Sequence, residues 1–215
     1  MRSRFDEQLD LLNKEMITMG ALCENAIAMS AKAVAEGDLA LTESIPALAE
    51  QIGQKEREIE SLCLKLLLQQ QPVAKDLRII SSALKMVTDM ERIGHQSADI
   101  AEIVRMANLK VGGDTEEVRN MALAVIKMVS ESIDAFVKKD DDMAQAVIAY
   151  DDVVDDCFDR VKKLLIGRFS QPGIDGEQTI DLLMVAKYFE RIGDHAVNIA
   201  KWVVFSITGS KGGKR

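Results

Sequence analysis

Apolar residues recur three and four positions apart over most of the chain, the spacing that puts side chains on one face of an α-helix. Short polar or glycine- and proline-bearing clusters interrupt the pattern at Glu36-Gly37-Asp38, Gln71-Pro72, Val111-Gly112-Gly113-Asp114, Lys138-Lys139-Asp140 and Gln171-Pro172-Gly173 running on to Gly176. Six helices are therefore predicted, each of roughly 25 to 35 residues, or about 40 to 50 Å at 1.5 Å per residue. Short connections make successive helices antiparallel neighbours. The expected fold class is all-α: two tandem, pseudo-symmetric three-helix bundles of up-and-down helices.

The pairing into halves comes from a repeat. Glu91-Arg92-Ile93-Gly94 in the third segment returns as Glu190-Arg191-Ile192-Gly193 in the sixth, an offset of 99 (190 minus 91). The same offset pairs Asp76 with Asp175, Ile100 with Ile199 and Ala101 with Ala200, and the two Gln-Pro entrances agree with it to within one residue. In the second helix of each half, Glu56-x-x-Ile59-Glu60 matches Asp151-x-x-Val154-Asp155 at an offset of 95 (151 minus 56). A duplicated unit accounts for all of these. The expected division is 1–110 for the first repeat, 111–208 for the second and 209–215 for a flexible basic tail.

Composition narrows the class. With 47% hydrophobic and 29% charged residues the chain has the apolar content to collapse, while 4% aromatics and three prolines favour helix over sheet. A net charge of -8 argues against nucleic acid or an anionic membrane as partner and points to cations or basic partners. Asp6, Glu7 and Asp10 stand where a signal peptide needs apolar residues, and no later run approaches the ~18 apolar residues of a transmembrane segment. A cytoplasmic location is expected. Cys23, Cys63 and Cys157 are far apart among apolar helical neighbours and are expected to be buried small hydrophobes, not a disulfide framework or thiolate zinc site.

The candidate chemistry lies in carboxylates on helix faces. Residues four apart stack on one face, so Glu190, Asp194 and Asn198 form an oxygen-rich ladder, with Glu91, His95 and Asp99 as its counterpart. Glu56 with Glu60, and Asp151 with Asp155, add acidic pairs on the second helices, extended by Asp152 and Asp156. Like charges at that spacing repel. If the second and third helices of each half pack side by side, these rows converge into a site of four or more ligands whose repulsion a metal ion cancels. The alternative is a set of solvated helix faces. Gly94 and Gly193 stand mid-helix at a cost of about 1 kcal/mol relative to alanine, which close helix packing or the approach of a ligand would offset. His195 falls on a different face from the ladder. Arg92 and Arg191 either steady the carboxylates or pair with surface acids. No Walker loop, GxSxG, HExxH or CxxC is present, and no catalytic residues are assigned.

Gln71-Pro72-Val73-Ala74-Lys75-Asp76-Leu77-Arg78 and Asp89-Met90-Glu91-Arg92-Ile93-Gly94 resemble the signature of the PhoU family, and Glu190-Arg191-Ile192-Gly193-Asp194-His195-Ala196 resembles its second-half copy. The resemblance spans nearly the whole chain. It implies metal clusters held by E/D-x-x-x-D motifs and a negative regulator of phosphate uptake and of the phosphate-starvation response. By it the protein is expected to couple the phosphate-transporter ATP-binding subunit to a sensor histidine kinase, as a homodimer. The metal motif carries over onto Glu190 with Asp194, Asp151 with Asp155, Glu56 with Glu60, and Glu91. His95 stands where the family has Asp, so the first site is expected to differ in preference or affinity. The expected metal is iron, zinc, manganese or magnesium. Two other readings compete: a carboxylate-bridged metalloenzyme, and a metal-free helical interaction module.

Overall fold

The computed structural model describes residues 2–70, 72–109 and 116–210. Within them lie six helices: α1 (Arg2–Glu36), α2 (Leu39–Gln70), α3 (Ala74–Ala107), α4 (Glu116–Lys138), α5 (Asp141–Arg168) and α6 (Gly176–Thr208). No strand occurs among the described residues. The cluster Val111 to Asp114, the division at 110/111, Gln71 and the tail from Lys211 lie outside the described residues.

The connections read as helix boundaries have the chemistry of helix ends. Gly37, Asn108, Lys139 and Gly209 take positive φ (62°, 45°, 56° and 78°), the left-handed turn that closes a helix. Asp140 and Asp175 are N-caps of α5 and α6: Asp140 accepts from the Met143 amide, and Asp175 accepts from the amides of Glu177 and Gln178. Removing the cap by Asp175→Ala is expected to cost about 1 kcal/mol of stability, read as a lower midpoint in urea denaturation. An unchanged midpoint would show that packing alone holds the start of α6.

Helices α1, α2 and α3 pack on one another, as do α4, α5 and α6, and the bundles join through α3 on α6 and α1 on α4. α2 and α5 therefore lie on the outside. On α1, Leu12, Met16, Met19, Cys23 and Ile27 are fully buried at spacings of three or four residues, as an inward helix face requires. The three cysteines are buried and free. Loss of solvation pushes the Cys63 thiol up to about 12, with Glu60 adding to it, so these are inert fillers of the core. No helix among the described residues is long and apolar enough to cross a membrane.

The seam between the bundles fixes the register of α3 against α6. Asp89 of α3 meets His195 and Asn198 of α6, while Asp99 shares a groove with Tyr188 of α6. The two helices thus cross antiparallel with Gly94 and Gly193 near the same level, where a pseudo-twofold axis relates one repeat to the other.

Candidate metal centre

In the second repeat the site is built around a missing side chain. A Cβ on Gly193 would stand 3.3 Å from Val154 Cγ1 of α5, 3.6 Å from Val125 Cγ1 of α4 and 3.5 Å from Asp151 Oδ1. The glycine lets α5 lie close against α6, and the same closeness brings the Asp151 carboxylate down beside the α6 backbone. The charge that results is only partly compensated, by Lys187. Burial, and then the carboxylates of Asp155, Asp194, Glu190 and Asp152, raise Asp151 from 3.8 to about 6. Asp155 is raised too, first by loss of solvation, then by Glu190 and Asp152, with Lys187 opposing. Glu190 Oε2 is buried with no hydrogen-bond donor; Lys187 Nζ approaches it as an ion-pair partner without hydrogen-bond alignment. Asp151, Asp155, Glu190 and Asp194 therefore face one another across the α5–α6 seam.

The first repeat makes the same seam with different contents. A Cβ on Gly94 would lie 3.0 Å from Ile52 Cδ1, so α2 closes on α3 there. Glu56 is raised by burial, then by Glu91 and Glu60, and the Thr88 hydroxyl partly offsets this by hydrogen bonding. Glu56, Glu60 and Glu91 are thus neighbours across α2 and α3. His95 Nε2 lies 2.5 Å from Glu91 Oε1, so the imidazole occupies the carboxylate that its counterpart, Asp194, leaves free. His95→Asp should convert the first seam to the second one's donor set and raise retained metal per chain, measured by elemental analysis. Unchanged metal content would remove His95 from consideration as the source of any asymmetry.

Two expected ligands turn toward the α3–α6 seam. Asp99 senses His95, Glu102 and Arg191, and lines a groove with Glu177 and Asp181 of α6. Asn198 turns its amide toward Asp89, 3.5 Å away. Helix geometry explains both: four residues make about 400° of turn, so a ladder drifts by about 40° per step and its third rung stands about 80° off the first. That drift turns Asp99 and Asn198 toward the α3–α6 seam, although Asn198 still lines a groove with Asp151 and Asp194. His195 is likewise in that seam, its Nδ1 2.9 Å from the buried Asp89 carboxylate, which fits its separate face. Arg191 acts on Asp99 and lies 5.4 Å over the Tyr188 ring, while Arg92 lines a groove beside Asp151 and Asp194. Sequence reasoning missed Lys187 and Thr88. Each sits three residues before a ladder glutamate, Glu190 and Glu91, and that spacing was the available signal.

The donor set suits a hard cation: oxygen ligands, excess negative charge and a buried carboxylate oxygen held only by the Lys187 ion pair. It is not gathered into a cage. Among the described residues no three His, Cys, Asp or Glu side chains already converge on one coordination point. Side-chain rotation would have to close the facing rows on an ion. The residues fit the group on these terms. Asp151, Asp155, Glu190 and Asp194 would hold it in the second repeat, and Glu56, Glu60, Glu91 and His95 in the first. A bound cation supplies charge that offsets the repulsion and ties the outer helix of each bundle to the inner one.

The fold and these seams define a class: a duplicated three-helix protein with a carboxylate-lined seam in each copy. The PhoU domain matches residues 16–104 and again residues 118–203. The chain belongs to the PhoU family. It is 34% identical, over 98% of its own length and 97% of the relative's, to a phosphate-specific transport system accessory protein PhoU homolog of Clostridium acetobutylicum. A homolog so named from Pseudomonas aeruginosa is 32% identical over 96% of this chain and 86% of that one. The crystal structure of PhoU from Pseudomonas aeruginosa superposes with a TM-score of 0.88 at 31% identity, covering 96% of this chain and all of that one. A phosphate transport system regulatory protein PhoU from Streptococcus pneumoniae shares the fold, with a TM-score of 0.86 at 24% identity over 98% of this chain and all of that one.

Proposed function

We propose that this protein is a cytoplasmic, metal-binding adaptor of phosphate homeostasis, an accessory protein of a phosphate transport system that restrains uptake and phosphate-starvation signalling. In this reading it joins the transporter's ATP-binding subunit to a sensor histidine kinase, acts as a homodimer and performs no catalysis of its own. The accessory role is carried over from relatives of that name that match nearly the full chain. The observation that carries the metal part is the second seam, where burial first, and then four neighbouring carboxylates, lift Asp151 to about 6. A fold does not shoulder such repulsion for its own stability, and a cation removes it. The test is co-purification of the full chain with the transporter ATP-binding subunit and with the kinase, at high and low phosphate. Complexes with both support the adaptor; association with neither under any condition sinks it.

A second reading is a metal-free interaction module, favoured by the absence of any converged three-ligand set among the described residues. Protein purified without chelator decides between them. Retained iron, zinc, manganese or magnesium that is lost in Glu190→Gln supports the metal reading, whereas no bound metal leaves the adaptor as a bundle alone.

A further inference from the structure

The second seam already contains a cation that belongs to the chain. Lys187 Nζ lies 2.5 Å from Glu190 Oε2, and that carboxylate oxygen is buried. The pair is more than a contact along one helix, because the ammonium also reaches α5. It opposes the rise that burial, and then Glu190 and Asp152, impose on Asp155, and it stands 5.4 Å from the centre of the Phe158 ring, one turn along α5 from Asp155. The Lys187 side chain is 39% exposed, so its end has a way out to solvent.

The first repeat shows the same seam without this lysine. The offset of 99 puts Thr88 in the place of Lys187 (187 minus 99), and the offset of 95 puts Cys63 in the place of Phe158 (158 minus 95). Thr88 is neutral, and its hydroxyl bonds Glu56. Glu91 is met by His95 from the other side, four residues further on. The tethered cation and the ring beside it therefore occur together in one repeat and are both replaced in the other. A carboxylate oxygen in close contact with an ammonium is not free to coordinate a metal ion, and two cations that close repel each other in a seam partly out of water. Metal entry at Glu190 thus requires Lys187 to leave. Its flexible four-carbon stem allows that, and the face of Phe158 retains a hold on the ammonium once it has moved.

We propose that Lys187 is a tethered counter-ion of the second seam: it holds Glu190 in the metal-free protein, yields to an arriving divalent cation, and so sets that site's affinity below what its carboxylates alone would give. The inference rests on the metal reading of the seam and adds the residue that controls it. Lys187 is a positioning residue in this scheme and not a ligand.

The test is a titration of the chelator-stripped full chain with Mn2+, and separately with Zn2+, for the parent, Lys187→Met, Lys187→Arg and Lys163→Met. Lys187→Met is expected to bind at least about fivefold tighter, because the competing state is gone. In chelator it is expected to melt at a lower temperature than the parent, because buried Glu190 Oε2 loses its partner. Lys187→Arg keeps the charge and is expected to bind no tighter than the parent. Lys163→Met removes an exposed charge elsewhere on α5 and is expected to change affinity by less than about twofold, since solvent and salt screen it. In the parent, acetylation of Lys187 by acetic anhydride, read by mass spectrometry, is expected to rise when metal is bound. A merely structural ion pair would lower stability on removal and leave metal affinity and acetylation as they are. Equal affinity in Lys187→Met and the parent, or acetylation unmoved by bound metal, overturns the proposal and leaves the metal site standing. The acetylation measurement uses the parent alone, so it decides the matter even if Lys187→Met unfolds. No metal bound by parent or variant removes the metal reading, and the proposal with it.

Discussion

Asp151→Asn is expected to make the metal-free protein more stable at neutral pH and, at the same time, to strip metal from the second repeat. Burial and neighbouring carboxylates raise Asp151 from 3.8 to about 6 in the folded chain, so between those values the folded state holds a proton that the unfolded state has released. Stability of the metal-free protein therefore falls as pH rises through that window, and above about 6 the whole of the penalty is present. Asparagine keeps the shape and cannot ionise. Because Asp151 is partly solvated, screening keeps the gain below about 1 kcal/mol, or at most a rise of about 2–4 °C in the melting midpoint. The difference between variant and parent should shrink as the pH is lowered toward 4. Metal affinity should drop by more than the roughly 10- to 100-fold seen when only an outer partner of a metal ligand is lost. Thermal melts in chelator across that pH range, with elemental analysis of untreated protein, check both halves. A variant that is less stable without metal, yet keeps its metal, would dismiss the seam as a binding site.

The second large effect comes from the glycines. Gly94→Val adds a branched side chain where a Cβ alone would already stand 3.0, 3.3 and 3.4 Å from atoms of the fully buried Ile52. Either Ile52 leaves its place in the core or α2 moves off α3, and overpacking of that kind costs about 1–3 kcal/mol. Movement of α2 also parts Glu56 from Glu91, so loss of stability and loss of the first site should appear together. Gly193→Val should behave alike, wedged against Val154 of α5 and Val125 of α4 at once. Alanine separates packing from helix propensity. Its gain of about 1 kcal/mol over glycine in a helix opposes a shift of a few tenths of an ångström in Ile52, so Gly94→Ala should lie near the parent. Urea denaturation of the three variants gives the answer. Valine variants as stable as the parent would mean that the close approach of these helices is not what holds the seams.

Much of the fold was legible because its signals are local. The breaks at Gly37, Lys139 and Asp175 are helix ends that follow from left-handed turns and side-chain caps, which a few adjacent residues determine. The repeat was legible because duplication leaves the same residues at the same offset, which pointed at the seams through Glu91 and Glu190 together with Glu56 and Asp151. The third rung was less legible, because the helix turns about 40° more than a full circle at each rung, which directs Asp99 and Asn198 toward the α3–α6 seam as well.

What the sequence by itself determined was the helices, their order, the duplication and which side chains could share a face, since these depend on φ/ψ preferences and periodicity along one chain. Only the tertiary structure decided which helix meets which across the middle, that His95 lies against Glu91, and that His195 pairs with Asp89. The reason is physical. Contacts between helices depend on crossing angle and on how closely the backbones approach, which a pair of glycines permits but which only the packed core fixes.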